Sequence, residues 1–467
     1  MDDDTDLSAR VRSPTPGQET THSPVASSVD APGAWSHPAT GAPSGHGSLA
    51  ALSSLGEPHS LVLDSPGDPA GGSEPPSPVI PVPDLRRYVA YRLVSMVNLT
   101  GGIWILFLLD RGLSLVQVGL AEASFHLAPV LLELPSGSLA DTFGRKWSLA
   151  MSSGLGVVSV LLMLAVQDIW LALPAMFLAG ASMTFASGAG DAFLFDSMAA
   201  GGTSDRFTAT LGKLLSASFI VIGISTWLGA SLAEIDFAVP YLLAAGAGLI
   251  GTVLALTLRE PDRDLPPHRD IGRTIVEGIG IARSHPRTGS LILFGAAYWT
   301  AIALIELYAQ ANLSDLGLPI SGVGLVIGGS YVLVAAGAWL AGRAAERGTF
   351  RIWIIGLSTM AALAALALGS EVAVLALAVY AVFQFSTGIM EPMLANRVNE
   401  RIPSAQRATV LSIQGFLYSV TMIWAFPLVG FLAGRGGWPL AYGSVAVALL
   451  VALGWWVIID RRHDLVA

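Results

Sequence analysis

The sequence of 467 residues has no cysteine, only two lysines and few charged residues of any kind. Without cysteine the chain forms no disulfide, thiolate metal site or cysteine nucleophile. Charged residues make up 13% of the chain and hydrophobic residues 53%, whereas a soluble globular domain carries about 25% charged residues. The composition therefore indicates an integral membrane protein.

Motifs for several chemistries are also absent. The sequence has no phosphate-binding G-x-x-x-x-G-K-[ST] loop, which argues against transport driven directly by ATP. It has no histidine cluster, Ser–His pair or metal-ligand spacing. We therefore expect no enzyme activity, no metal, no cofactor and no nucleic-acid partner.

Residues 1–84 differ from the rest of the chain in charge and composition. They hold eleven Asp or Glu against two Arg, and 14 of the 27 prolines. With little apolar periodicity, they cannot bury enough surface to offset the entropy of ordering. The acidic start without a continuous apolar core excludes a secretory signal. We expect a disordered cytoplasmic tail, which is either a spacer or a segment that binds a partner or regulates.

From Arg86 onward the chain is a series of apolar segments, each of about 20 residues, the length that crosses a bilayer as a helix. Twelve spans are predicted, at 88–109, 117–140, 147–167, 170–195, 208–233, 239–258, 289–313, 321–342, 351–369, 372–396, 408–433 and 439–459.

The longest connection, 259–288, divides these spans six and six. Its apolar residues recur at helical spacing, which predicts a short interfacial helix on the cytoplasmic side. It separates an N-terminal half at 85–258 from a C-terminal half at 289–460, and the chain ends with a short cytoplasmic segment at 461–467.

Basic residues are distributed unevenly between the two sides of the predicted spans. With both termini inside, 21 Lys and Arg fall on the cytoplasmic side and two on the outside, in agreement with the positive-inside rule. We therefore predict a multi-pass protein of the plasma membrane with both termini in the cytoplasm.

The short connection between predicted spans 2 and 3 concentrates charge. Gly137 and Gly144 permit close backbone approach and a positive φ. Asp141 can accept charge-assisted hydrogen bonds or face a helix N-terminus, and Arg145 and Lys146 mark the cytoplasmic side. We interpret this stretch as a gate that holds two helix bundles closed on one face.

The same stretch resembles the signature loop between helices 2 and 3 of the major facilitator superfamily. The pattern G-x-L-a-D-r-x-G-r-k is matched except at Thr142, where the family usually has a basic residue. The matching residues are Gly137, Leu139, Ala140, Asp141, Gly144, Arg145 and Lys146. The resemblance implies an all-α integral membrane fold, with twelve transmembrane helices in two pseudo-symmetric six-helix halves that alternate access to a central cavity.

A narrower resemblance is to a bacterial branch of efflux-type facilitators. It is carried by 133–137, by Gly190-Asp191-Ala192 and by Arg407-Ala408-Thr409. The Gly-Pro motif usual in span 5 of drug:proton antiporters is absent, because 222–230 has glycines but no proline. The expected function is proton-coupled efflux, of the antiporter and multidrug-resistance type, of a small, largely apolar drug or secondary metabolite. Proton-coupled uptake is the alternative, and a membrane sensor or scaffold on a transporter fold is a third.

Ionisable residues inside the spans are the candidates for function, because a charge in the membrane interior is costly and usually lines a cavity or a proton path. The candidates for proton coupling are Glu133, Asp191, Glu306 and Glu391. The candidates for charge pairing or cavity hydrogen bonds are Arg92, Asn98, His126, Gln384 and Arg407. We interpret Glu122 as an outer-edge residue that reaches water, and Trp104 and Trp299 as aromatic side chains that could stack on a substrate.

The expected partners follow from this assignment. They are a small-molecule substrate, the lipid bilayer and protons, with the proton gradient as driving force in place of any cofactor. We expect a monomer.

Overall fold

The structure, a computed structural model, describes residues 83–260, 286–346, 349–370, 372–401 and 407–464. The predicted tail up to residue 82 and the predicted interfacial helix of the 259–288 connection lie outside this part of the chain. Throughout the described residues the secondary structure is helical.

The N-terminal half contains eight helices. They are α1 Pro83–Ser95, α2 Trp104–Asp110, α3 Leu115–Phe143, α4 Arg145–Leu164, α5 Ile169–Ala186, α6 Ala189–Ala200, α7 Phe207–Ala233 and α8 Ala238–Thr257, with a short 3₁₀ turn at Ser204–Arg206 before α7.

Five helices are described in the C-terminal half. They are α9 Pro286–Asp315, α10 Ile320–Glu346, α11 Phe350–Leu368, α12 Ala373–Glu400 and α13 Arg407–Asp464, which bends at the non-helical residues Gly436 and Gly437.

These helices make twelve crossings. Among the described residues, ten helical segments are long and apolar enough to cross a membrane. One of them, Ile413–Arg462, is 50 residues long and turns back at Gly436–Gly437, so it supplies spans 11 and 12. The helix pair α1 and α2 supplies span 1. The fold is thus twelve transmembrane helices in two six-helix halves, as predicted.

Two spans differ from the continuous helices that the hydropathy predicts. Span 1 is interrupted between Ser95 and Trp104, where Gly101 and Gly102 weaken the helix. Span 4 is interrupted at Ser187 and Gly188, where Gly188 has a φ of 71°.

The predicted gate loop is also shorter than expected. Helix α3 continues through Phe143 and α4 begins at Arg145, so only Gly144 lies between them. Its φ of 104° favours glycine, because other residues are strained there. The predicted close approach is seen at Gly144, where a β-carbon would overlap the Glu260 carboxylate. At Gly137 the prediction of close approach is wrong for this conformation, since a β-carbon there would meet open space within the described structure.

Two faces of the bundle can now be defined. The signature face carries the Gly144 turn, the start of α1 and the end of α13. The opposite face carries the turns after spans 1, 3, 5, 7, 9 and 11. Near the signature face, Asp460 at the end of span 12 ties the C-terminal half together. Its carboxylate accepts from Arg351 Nε at 2.9 Å and lies 3.8 Å from the Arg287 and Arg401 guanidinium groups.

Among the described residues, the halves meet mainly along two pairs of spans, span 2 with span 11 and span 5 with span 8, and less extensively between spans 1 and 7. Glycine brings the backbones together at both. A β-carbon on Gly119 would lie 2.5 Å from Pro427 Cα, and one on Gly223 would lie 2.8 Å from the Gly328 carbonyl oxygen. A β-carbon on Gly430 would overlap the carbonyl oxygen of Leu115, the first residue of span 2. These backbone contacts lie in the half of the bundle toward the opposite face.

Candidate functional site: a cavity between the halves

A cavity with about 160 Å³ of space lies between the two halves. That is about the size of an engineered cavity that accepts benzene, so one small ring system fits. Both halves contribute aromatic and apolar walls, as expected for a small-molecule site. The apolar and aromatic lining includes Trp104, Phe125, Met163, Met176, Tyr331 and Tyr380.

The charge in this cavity is acidic. Glu122 of span 2 and Glu306 of span 7 line it, one from each half, and the described lining residues include no Lys or Arg. Their exposed fractions are 2% and 9%. Two carboxylates held in an apolar cavity favour a positively charged occupant or a proton.

The interruption of span 1 forms part of the cavity wall, and side chains satisfy its backbone. Gln310 of span 7 donates from Nε2 to the Gly101 carbonyl oxygen at 2.9 Å, and its Oε1 accepts from the Ile105 N–H at 3.3 Å. The Asn98 N–H donates to Ser225 Oγ of span 5 at 2.8 Å. Gln310 therefore joins the C-terminal half to the break in span 1.

Gln384, predicted as a cavity hydrogen-bonding residue, lines the cavity from span 10. Its Nε2 donates to Ser330 Oγ at 2.8 Å and to Tyr380 Oη at 3.2 Å, so its contacts stay within the C-terminal half. Trp104 lines the same cavity, and Asn98 also borders it. Trp299 instead packs edge-on against Tyr298 with ring centroids 5.3 Å apart.

The position of Glu122 contradicts the interpretation that this residue reaches water at the outer edge of its span. The residue lies seven positions into α3, about 10 Å along the helix. At that depth span 2 packs against span 11 at Gly119 and against span 4 at Ser124, and the Glu122 side chain is only 2% exposed. Its Oε1 lies 3.4 Å from Nε2 of the equally buried His126, one turn further on.

The other predicted coupling residues lie elsewhere. Asp191 is 7% exposed in the first turn of α6. Arg92, a predicted candidate for charge pairing, is close by, with Nη1 3.7 Å from where a β-carbon on Gly190 would lie. Glu391 is 4% exposed in span 10, whereas Glu133 is exposed near the end of span 2. The structure thus brings only Glu306 of the four predicted coupling residues to the described cavity lining.

At the signature face, the Gly144 turn is held by contacts from α6 and from the start of the 259–288 connection. Arg145 forms an ion pair with Asp196 of α6, and its backbone N–H donates to the Glu260 carboxylate. Lys146 lies over the Trp147 ring, 5.6 Å from its centroid. The side chains of Asp141 and Arg407 lie outside the described part of the structure.

A contact that the sequence did not reveal joins the halves at the opposite face. Glu234, at the end of span 5, accepts from the Ser321 N–H at 3.0 Å and from Ser321 Oγ at 2.7 Å, at the start of span 8. This carboxylate caps the N-terminus of a helix of the other half. The contact joins the two halves at that face, and we call it the Glu234 latch.

Comparison with known proteins identifies the family. The model of the Major Facilitator Superfamily matches residues 90–314 and 309–467. The chain belongs to this superfamily. Its members are transporters, so the protein is a multi-pass membrane transporter of a small molecule.

Two curated relatives come from Bacillus subtilis. The MFS-type transporter YxaM is 23% identical over 372 residues, which cover 78% of this chain and 92% of YxaM. Multidrug resistance protein 1 is 27% identical over 207 residues, 44% of this chain and 49% of that protein.

Solved facilitator structures share the fold. The nucleoside transporter NupG, in a mutant form, has a TM-score of 0.67 at 12% identity and covers 80% of this chain and 98% of its own. A bacterial homologue of the human lysosomal transporter Spinster, in an inward-facing and unoccupied conformation, has a TM-score of 0.61 at 14% identity, with coverage of 81% and 96%. At these identities the likeness concerns the fold alone.

We expect the Glu234 latch to weaken in acid. Hydrogen bonds from the Ser321 N–H and hydroxyl hold the pKa of the Glu234 carboxyl below its ordinary value of 4.5. The ionised carboxylate makes the contact. Its contribution to the stability of the closed opposite face is therefore complete above pH 4.5 and is lost as the pH falls through the lowered pKa. Glu234→Ala should raise the fraction of molecules that are open at the opposite face roughly two- to fivefold at neutral pH. In this variant the open fraction should no longer rise in acid.

The measurement is maleimide labelling of one cysteine at the cavity, Ala179→Cys, from the opposite face. The chain is otherwise free of cysteine, so the label reports one site. Asp110→Ala removes another exposed carboxylate of the same face and is the control. Equal labelling in the two alanine variants would rule out a latch.

Proposed function

We propose that this facilitator exports a small, largely apolar compound, preferably one with a positive charge, in exchange for protons. The observation that carries the proposal is the cavity between the halves, with apolar walls and the carboxylates of Glu122 and Glu306. The partial similarity to Multidrug resistance protein 1 also supports export.

The proposed orientation places the signature face in the cytoplasm, because 21 of the 23 Lys and Arg after residue 84 lie on that side. The tight contacts between spans 2 and 11 and between spans 5 and 8 then close the cavity toward the outside. Export requires these contacts to separate so that the substrate leaves on the opposite side. One chain supplies the whole cavity, so we propose that a monomer is the unit of transport.

Glu306 is proposed to bind the positive charge of the substrate. It lies on span 7, one turn from Gln310, whose amide joins the two halves. A cation bound there is attracted by the carboxylate, and the attraction is stronger in an apolar cavity than in water. The same electrostatics disfavour anionic substrates.

Flux in inverted membrane vesicles tests the proposal. With the vesicle interior acidified, we expect accumulation of phenyltrimethylammonium, a small aromatic cation that suits the cavity. The rate should fall at least tenfold in Glu306→Gln. Accumulation driven only by the reverse gradient would instead indicate uptake by symport, and no gradient-driven flux of this or other small lipophilic cations would overturn the proposal.

A further inference from the structure

Glu122 and His126 form a pair of titratable side chains within span 2. Both side chains are 2% exposed, and Glu122 Oε1 lies 3.4 Å from His126 Nε2. Among the described residues, neither histidine nitrogen nor this carboxylate oxygen has a hydrogen-bond partner. Buried polar atoms are nearly always hydrogen-bonded, so an unsatisfied cluster of this kind calls for a functional explanation.

The sequence makes this histidine distinctive. The chain has eight histidines, and His126 is the one whose side chain the structure describes within the membrane spans. The others are His22, His37, His46, His59, His268, His285 and His463. An imidazole and a carboxyl group one turn apart can share one proton.

The charge on the pair depends on one proton. With one proton shared between imidazole and carboxyl, the pair is neutral overall. When that proton leaves, a single negative charge remains in a region with few polar partners, and this is costly. The proton therefore leaves most readily when another positive charge arrives nearby.

The surroundings supply few other charges. Span 11 presents Tyr418, whose ring meets His126 edge-on with centroids 5.2 Å apart. Span 7 presents the carboxylate Glu306 and Tyr308, which donates to the Phe426 carbonyl oxygen. Span 4, which packs against the same part of span 2, has no titratable residue between Ile169 and Ala186.

The pair also lies where the halves must separate. Span 2 contacts span 11 through Gly119 and Pro427, one turn from Glu122, and through the His126–Tyr418 ring contact. Glu122 also lines the cavity. The titratable pair, part of the cavity lining and a contact between the halves therefore all lie within about two turns of span 2.

We propose that the Glu122–His126 pair binds the proton that is exchanged for substrate. This inference rests on the proposed proton-coupled export. When the cation binds beside Glu306, the shared N–H or O–H bond breaks, and the proton leaves toward the signature face while the pair keeps its negative charge. After the opposite face opens, a proton binds the pair again, neutralises it and weakens retention of the cation. One proton and one positive charge thus cross in opposite directions.

Transport by purified protein in liposomes separates this role from substrate binding. In Glu122→Gln and His126→Gln, we expect accumulation of phenyltrimethylammonium driven by a pH gradient to fall at least tenfold. Exchange of the labelled cation at equal pH by His126→Gln should stay within about threefold of wild type, because exchange needs no net proton movement and His126 is not among the described residues that line the cavity. Glu122→Asp should restore part of the coupling. Ser124 lies between Glu122 and His126 in the sequence, and its hydroxyl donates to the Leu173 carbonyl oxygen. Ser124→Ala removes this hydroxyl and should leave coupling intact.

Proton binding itself can be followed without any substrate. In purified protein labelled with ¹⁵N-histidine, the His126 signal, assigned by its loss in His126→Gln, should report gain and loss of the ring proton when the pH is changed. Its response to pH should differ in Glu122→Gln. If no cation is transported by wild type, the proposed function fails, and this titration still decides whether the pair binds a proton.

Three results would overturn the inference. One is gradient-driven accumulation at the wild-type level in both glutamine variants. A second is equal loss of exchange and of gradient-driven accumulation in His126→Gln, which would make this residue part of the substrate site alone. The third is a His126 signal that does not respond to a change of pH.

Discussion

Gly328→Leu should hold the transporter open at the opposite face and abolish transport. A β-carbon at this position would overlap the carbonyl oxygen of Gly223 in the other half, so the obstacle is backbone that cannot rotate away. Spans 5 and 8 can accommodate leucine only by moving apart. Overpacking of this kind costs about 1–3 kcal/mol or more, which changes the ratio of the two conformations by roughly tenfold or more.

The neighbouring glycine supplies a matched control. Gly329 is exposed, and a β-carbon there would meet open space within the described structure. Leucine is also a better helix former than glycine, so neither variant should lose the helix. Gly329→Leu should therefore transport as wild type does.

Labelling of Ala179→Cys from the opposite face reports the expected change. We predict at least a tenfold faster reaction in Gly328→Leu and no change in Gly329→Leu, with transport of phenyltrimethylammonium lost only in the former. If Gly328→Leu is labelled at the wild-type rate, the contact between Gly328 and Gly223 does not control closure. An equal effect of both leucines would point to a general disturbance of span 8.

The number and order of spans could be predicted from the sequence, because the physical signal is strong. Twenty consecutive apolar residues cross a bilayer wherever they occur. The interruption of span 1 could not be read from hydropathy, since Asn98-Leu99-Thr100-Gly101-Gly102 remains apolar enough to count as a span. Its stability depends on Ser225 and Gln310, which lie far away in the sequence.

The candidate site was predicted less completely than the fold. Glu306 and Gln384 were found because ionisable and amide groups inside spans are rare. Glu122 was missed because its distance from the predicted end of span 2 suggested access to water, whereas span 11 covers that level of the helix. The spacing of four residues to His126 was a signal in the sequence that could have found it.

The Gly144 turn shows a second limit of sequence patterns. The motif identified the family, yet its glycine and charged residues do not all share one role. Gly144 has the positive φ that the pattern requires, whereas Gly137 continues α3 as an ordinary helical residue in this conformation. Arg145 pairs with Asp196 of the same half, a contact that spacing along the chain could not predict.

Gln310→Leu is expected to destabilise the conformation that is closed at the opposite face. The change keeps the approximate volume but removes the donor to the Gly101 carbonyl oxygen and the acceptor for the Ile105 N–H. Each buried backbone group left without a partner costs about 1–3 kcal/mol. Because these bonds join span 7 to span 1, the cost falls on the closed arrangement of the halves.

Gln384→Leu is the matched comparison, because it removes amide bonds to Ser330 and Tyr380 that lie within the C-terminal half. Both variants should unfold at a lower temperature in detergent than wild type. Only Gln310→Leu should also speed the labelling of Ala179→Cys from the opposite face, by roughly tenfold or more. The difference follows from where the lost bonds lie, since a bond within one half is kept in both conformations and cannot shift the balance between them. Equal labelling in the two variants would mean that span 1 moves with span 7 when the opposite face opens.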